Sequence, residues 1–281
     1  MEISLNEIQK LKSLAQQCRK DVLKMVRLSG EGHLGASFSC MEILTTLYYG
    51  IMNINPSRPN WVERDQFILS KGHACFAQYA LLARKGYFPI EWLYKIGIKN
   101  DKNNIFSGHP DRDKIPGIDV STGSLGHGLS IGTGIALASK KDNQTKKIFV
   151  LLGDGECQEG SVWEAAMFAS MYKLDNLIAI IDANTLQAIA RVEDTISMEP
   201  FIDKWKSFGW QAFEVDGHNC GELLETMMTL PKKEGLPTAI IARTIKGKGV
   251  SFMENEIMWH ARSVTEEEYQ KAISEIDRSI K

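Results

Sequence analysis

Two apolar runs in this chain end in polar clusters. Lys147-Ile-Phe-Val-Leu-Leu152 leads into Gly153-Asp154-Gly155-Glu156, and Asn176-Leu-Ile-Ala-Ile-Ile181 leads into Asp182-Ala183-Asn184. The 30 positions between Asp154 and Asn184 leave room for one helix joining two parallel strands. Both side chains would then emerge at carboxyl ends of neighbouring strands, where open α/β sheets bind ligands. A carboxylate, an amide oxygen and a backbone carbonyl near Leu186 make an oxygen donor set suited to Mg²⁺. The Gly155 N–H, at the start of the next helix, would face a phosphate. The implied chemistry is a metal-held diphosphate. Asp182 lies further back on its strand and ranks second as a ligand. Gly-Asp-Gly alone is a common turn; its place between strand and helix gives it weight.

Histidine is the second chemical signal. His33, His73, His109 and His127 each sit in a turn of small residues, which lets the backbone approach a ligand closely. Imidazoles donate, accept or shuttle protons near neutral pH, so such turns fit a pocket for a hydroxylated substrate. His260 follows Trp259, whose ring would exclude water from it. His218, in Asp216-Gly-His218, reads as a structural residue before a helix. Lys246-Gly-Lys-Gly249 lacks the GxxxxGK[ST] spacing of a nucleotide phosphate loop.

These residues need a scaffold, and the apolar patterning predicts one. Strands are expected at residues 66–70, 147–152, 176–181, 211–215 and 238–242, separated by helices. That alternation points to an α/β fold, a doubly wound and mainly parallel sheet with helices on both faces. Leu5, Ile8, Leu11, Ala15, Cys18, Val22 and Met25 recur at helical spacing, predicting a helix over 5–29. A Gly-rich loop, 30–35, follows. Ser39 with Glu42 reads as a capping box opening the next helix, which runs to about Gly50. Further helices are predicted over 74–84, after Pro89, and over 125–140, 159–172, 201–208, 219–229 and 265–278. Trp163, Met167, Phe168 and Met171 read as helix core, and Tyr269, Ala272 and Ile276 as the inward face of the last helix. Residues 98–124 lose the apolar period, and a loop that long, carrying Gly108-His-Pro110 and Ser121-Thr-Gly-Ser124, is expected to be functional.

Bulk properties set limits. With 43% hydrophobic and 24% charged residues over 281 positions, the chain reads as a single globular domain, 1–281. A net charge of −2 gives no reason to expect nucleic acid or an anionic membrane as partner. No apolar run approaches the roughly 20 residues of a membrane span. Five scattered cysteines without a CxxC pair read as reduced thiols in a cytoplasmic protein.

Read in order, Gly32-His-Leu-Gly35, Ser70-Lys-Gly-His-Ala74, Gly108-His-Pro110, Ser121-Thr-Gly-Ser-Leu-Gly-His-Gly128, Gly153-Asp-Gly155 with Glu159-Gly160, Asn184, Asp216-Gly-His218 and Trp259-His260 resemble the diphosphate-binding half of the transketolase family over nearly the whole chain. The match is closest to the separate N-terminal subunits of split transketolases. The resemblance implies thiamine diphosphate with Mg²⁺, or Ca²⁺ or Mn²⁺ in its place. It implies metal ligands at Asp154, Asn184 and the Leu186 carbonyl. Gly153, Gly155, Glu156, His73 and His260 would form the diphosphate site, with Gly123 and Leu125 near the aminopyrimidine. His33, His73, His109 and His260 would surround the thiazolium and the sugar hydroxyls. Glu159 would be a buried interface glutamate that communicates between the cofactors of a dimer. A separate C-terminal subunit is implied, in a 2+2 heterotetramer that moves a two-carbon unit from a ketose to an aldose. That partner would bring the glutamate that activates the cofactor, so this chain alone is expected to be inactive. Leu34, His127, and Ala183 with Ala188-Ile-Ala-Arg191 depart from residues common in the family. Other readings are a 2-oxo acid dehydrogenase-like or 1-deoxyxylulose-5-phosphate synthase-like subunit, or a non-catalytic regulatory one.

Overall fold

The computed structural model describes residues 3–98 and 101–280. Lys99 and Asn100, at the start of the predicted loop, and both chain ends lie outside the described residues. Strands β1 (Gln66–Leu69), β2 (Ile148–Gly153), β3 (Leu177–Ala183), β4 (Gln211–Asp216) and β5 (Thr238–Arg243) form one sheet in the order β1-β2-β3-β5-β4. Every neighbouring pair is parallel.

Their side chains alternate between two cores, which is why the central strands read as unbroken apolar runs. Phe67, Phe149, Leu151, Ile178, Ile180 and Ile240 enter one core. Helices α1 (Leu5–Ser29), α2 (Leu34–Ser39), α3 (Met41–Thr46) and α4 (Cys75–Lys85) pack there. Ile68, Val150, Leu152, Leu177, Ile181 and Ile241 enter the other. That face is covered by α5 (His127–Lys141), α6 (Gly160–Met171) and, past the short α7 (Val192–Thr195), by α8 (Phe201–Ser207). Helices α9 (Cys220–Met228) and α10 (Glu266–Ile280) return to the first face. The doubly wound expectation holds. No helix among the described residues is long and apolar enough to cross a membrane.

Several local expectations change. Helix α1 keeps its predicted span between a Ser4–Glu7 capping box and Gly30, although Leu5 is exposed. The next helix starts at Leu34, not Ser39, so Gly35 is helical, and a break at Cys40 separates α2 from α3. No capping box forms there, because both side chains are used elsewhere. Ser39 Oγ donates to Asp182, and Glu42 accepts from Arg19. A turn of π-helix, Leu47–Ile51, ends that region. Pro89 opens a 3-10 helix. Helix α5 begins two residues late, after Gly126 at φ 82°. Strand β3 runs two residues further than expected, to Ala183, and α7 has no counterpart in the sequence pattern. On α6, Met167, Phe168 and Met171 are exposed, Met171 by 79%, where the sequence predicts core positions. Trp163 does pack inward, on Trp205 and Phe208. Ala272 and Ile276 are buried and Tyr269 packs beside them. All five cysteines are free and buried.

Close packing of α5 holds the loop before it against the strand ends. A Cβ on Gly128 would lie 2.4 Å from Ser70 Cβ and 2.9 Å from its Cα, so backbone would have to move. Gly128→Ala is expected to lower stability by about 1–3 kcal/mol, the cost of overpacking. Denaturant unfolding checks this; an unchanged midpoint would show that the contact yields freely.

Candidate functional site

All five strands end on the same side, and their exits build the site. Strand β1 delivers Ser70 and Lys71, β2 delivers Asp154, β3 delivers Asn184 through Leu186, β5 delivers Lys246, and β4 delivers His218. Beneath these exits lies Asp182, fully buried. Its Oδ2 accepts from Lys71 Nζ, from Ser39 Oγ at 2.6 Å and from Asn184 Nδ2 at 3.2 Å, while its Oδ1 accepts from Thr244 Oγ1. Burial opposes both charges, yet mutual attraction raises the Lys71 pKa and lowers that of Asp182. Paired with Lys71 and absent from the lining of the cavity that Asp154 and Asn184 border, Asp182 is a structural anchor.

Asp154 and Asn184 meet across the 184–186 turn. Thr185 donates its N–H to Asp154 Oδ2 at 2.5 Å, and Leu186 donates to Asn184 Oδ1 at 3.1 Å. Thr185 sits at φ 68°, a costly conformation for a β-branched residue, held here by the Asp154 bond. Burial, then the charge of Asp182, pushes the Asp154 carboxyl up to about 6. A cation bound at the carboxylate would relieve that tension. The Leu186 and Gln187 carbonyls already attract one: Lys246 Nζ donates to them at 3.0 and 2.9 Å. No cluster of three His, Cys, Asp or Glu side chains suited to a metal occurs among the described residues. Carboxylate, amide and carbonyl oxygens are the donors of a hard cation, so the predicted set, Asp154, Asn184 and Leu186, fits Mg²⁺.

Gly155 is a partial correction. Its N–H donates to Asp154 Oδ1 at 2.8 Å, rather than pointing freely outward, and a 3-10 turn, Gly155–Gln158, precedes α6. Glu156 lines the cavity, but its carboxylate is already engaged. It lies buried under the loop, accepting from Ser70 Oγ, from Gly126 N at 2.9 Å and from Gly153 N at 3.0 Å. It shapes the site and is fully occupied in doing so. Glu159 is exposed on the rim.

Four imidazoles converge above the oxygen donors. Ring centroids of His33 lie 5.3 Å from those of His73 and His260 and 6.4 Å from that of His109. Each comes from a different segment. The His109 carbonyl is fixed by Tyr79 Oη at 2.7 Å and Ser107 Oγ at 2.8 Å. Burial first, then His109 and the nearby lysines, lowers the His33 pKa to about 4. Burial and Lys246 lower His260 to about 3, and burial and Lys71 hold His73 well down. At neutral pH these three rings are uncharged, each with one donor and one acceptor nitrogen for hydrogen bonds. His127 stays outside the cluster, exposed, its Nδ1 3.1 Å from the Leu125 carbonyl.

A cavity of about 340 Å³ joins these groups, and Gly123, Leu125, Asp154, Asn184 and Leu186 all line it. His33, His73 and His109 also face a second, larger hollow of about 680 Å³ that reaches Glu31 and Arg262. The residue missed at the sequence level is Lys246. It is almost fully buried, and its ammonium meets no carboxylate among the described residues; Nζ lies 2.9 Å from His260 Nδ1. Burial, then Lys71, lowers its pKa to about 8. Spacing excludes a nucleotide loop, and the signal left unused is a lysine closely following a β-strand. Lys71 is compensated by Asp182, so Lys246 is the cation that makes the cavity attractive to an anion.

Known proteins resemble this chain in sequence and fold. Residues 11–276 match the family described as transketolase, thiamine diphosphate binding domain. An apulose-4-phosphate transketolase subunit of Phocaeicola vulgatus is 40% identical over 98% of this chain and 96% of its own length. The 6-deoxy-6-sulfo-D-fructose transketolase subunit SqwG of a Clostridium species is 42% identical over 95% of this chain and 96% of its own. The crystal structure of transketolase from Campylobacter jejuni superposes with a TM-score of 0.88 at 30% identity, over 99% of this chain. This chain spans only 43% of that protein, and likewise 43% of human transketolase, to which it is 37% identical. The chain therefore belongs to the transketolase family, as an enzyme chain of that class built on its thiamine diphosphate-binding domain and matching the relatives named as subunits nearly end to end.

Proposed function

We propose that this chain is the diphosphate-binding subunit of a two-chain, cytoplasmic transketolase, folding as one domain. The observation that carries the reading is the single cavity in which oxygen donors for a hard cation, two lysines and four imidazoles meet. Asp154, Asn184 and the Leu186 carbonyl would hold Mg²⁺. Lys246, with Gly155, His73 and His260, would hold the diphosphate, and Gly123 and Leu125 would border the aminopyrimidine. Bound thiamine diphosphate would supply the carbon nucleophile for a ketose carbonyl. The uncharged rings of His33, His73 and His260, with His109 beside them, would orient the sugar hydroxyls by hydrogen bonds. The larger hollow beyond these rings has room for a ketose or aldose, phosphorylated or not.

A second subunit is the other half of the proposal. The relatives named as subunits support it. So does the apolar strip of Met167, Phe168, Met171 and Tyr172, exposed on the helix that follows the Glu159 rim, of a kind that marks association surfaces. Two copies of each chain would form the assembly. The direct experiment assays this chain with and without a pyrimidine-binding transketolase subunit, over a panel of ketose donors and aldose acceptors. Two-carbon transfer is expected from the mixture and not from this chain alone. Robust transfer by this chain alone would remove the need for the partner, and release of CO₂ from pyruvate by the mixture would replace the reaction.

The metal ligands are testable by calorimetry in the reconstituted complex. Asp154→Ala is expected to abolish Mg²⁺-dependent binding of thiamine diphosphate; an unchanged titration would remove Asp154 from the site. Protons compete with the metal for Asp154, which titrates at about 6. Metal-dependent affinity should thus be level above pH 7 and fall about tenfold per unit below 6. Constant affinity from pH 7 to 5 would contradict this. His109→Ala should cost about 1.5–3 kcal/mol of transition-state binding, roughly 10- to 150-fold in kcat/KM. A change below about twofold would return His109 to a loop-holding role.

A further inference from the structure

A hydrogen-bonded chain runs from the first helix to the cofactor cavity through His218, a residue with no part in the function proposed above. Arg19 on α1, fully buried, donates to Glu42 Oε1 at 2.5 Å and Oε2 at 2.7 Å, and to the Phe38 carbonyl at 2.9 Å. Glu42 on α3 meets His218 Nδ1 at 2.9 Å. The other ring nitrogen, His218 Nε2, accepts the backbone N–H of Ile245 at 2.8 Å. Ile245 immediately precedes Lys246.

The tautomer follows from the partners. A backbone N–H can only donate, so Nε2 carries no proton; Nδ1 must then carry one and donate it to Glu42. Burial alone would favour a neutral Glu42, but Arg19 and His218 outweigh it and hold the carboxyl down at about 2. The acceptor is therefore permanently charged, and its orientation is set by the two-pronged Arg19 contact. The loop bearing His218 is seated firmly. Gly217 donates to the Arg243 carbonyl at 2.8 Å, and a Cβ there would lie 2.4 Å from Thr244 Cγ2. Past Ile245 the chain stays fixed: Gly247 N–H bonds the Gly35 carbonyl at 3.1 Å, and Asn255 N–H bonds the Lys246 carbonyl at 2.9 Å. Between these points Lys246 extends to the Leu186 and Gln187 carbonyls and to His260.

We propose that His218 is a positioning residue: locked by Glu42 in the Nδ1–H form, it fixes the strand exit that aims Lys246 into the cavity. That Lys246 serves a diphosphate there rests on the function proposed above; the tautomer and the strand-exit contact do not. Removing the ring should therefore weaken cofactor capture more than turnover, because it loosens the aim of one cation and leaves the imidazole cluster in place.

The test combines one spectrum with a set of variants. In ¹⁵N-histidine spectra of the unaltered chain, His218 should show a protonated Nδ1 and a bare Nε2 bonded to an amide proton. A protonated Nε2 would overturn the proposal whatever the kinetics show. In the reconstituted complex, His218→Ala should raise the KM for thiamine diphosphate about tenfold or more, with kcat at saturating cofactor within about threefold. His218→Gln places an oxygen near the Nε2 position and should recover most of that loss, which a purely packing role would not predict. In a Lys246→Met background, His218→Ala should add little, as expected for residues acting as a unit. Equal losses in both kinetic constants, a Gln variant no better than Ala, or full additivity with Lys246→Met would overturn it. If the unaltered complex ignored thiamine diphosphate, the functional reading would fail instead, and the spectrum would still decide the tautomer.

Discussion

The site depends on one buried ion pair, Lys71 with Asp182. Taking two charges out of water costs several kcal/mol per ion, repaid only when their remaining hydrogen-bonding capacity is met. Here it is met by the elements that must be held in register. Asp182 lies within β3 near its end, Lys71 follows β1, Thr244 follows β5, and Ser39 and the Ala36 carbonyl belong to α2. Apolar residues of equal volume would fill the space but leave these exits unlinked. The pair thus works as a joint between three strands and a helix, directly under the cavity.

That joint sets the electrostatics above it. Burial, then the negative charge of Asp182, raises the Asp154 carboxyl to about 6. Burial, then the positive charges of Lys71 and Lys246, keeps the nearest imidazoles neutral. A metal would answer the first tension and an anion the second, so a metal diphosphate matches both. The left-handed Thr185 fits this picture, since strained residues persist where surrounding structure holds them and gather at functional sites.

Much of this is legible in the chain. Five apolar runs separated by helical patterns point to the parallel sheet, because strands buried on both faces cannot alternate. Asp154 and Asn184 are legible for the same reason, each standing where such a run stops. His33, His73, His109 and His260 can be listed from the sequence but not assembled, since they come from four distant segments and only the topology brings them together. Other features follow from partners far along the chain. Ser39 and Glu42 carry a capping-box spacing, yet Asp182 and Arg19 claim their side chains, and long-range bonds outweigh a local cap. Glu156 adjoins Asp154 and so reads as facing the cofactor; three donors from beneath the loop draw it inward. Met167, Phe168 and Met171 have core composition on an exposed face, a difference that periodicity alone cannot reveal.

A crystal structure of this chain with a pyrimidine-binding subunit, thiamine diphosphate and Mn²⁺ would test the central claim most directly, because Mn²⁺ scatters anomalously. The account predicts one anomalous peak ligated by Asp154, Asn184 and the Leu186 carbonyl, with Lys246 turned to a diphosphate oxygen and the four imidazoles over the thiazolium. A metal held by other residues, or a diphosphate lying away from Lys246 and His260, would contradict it.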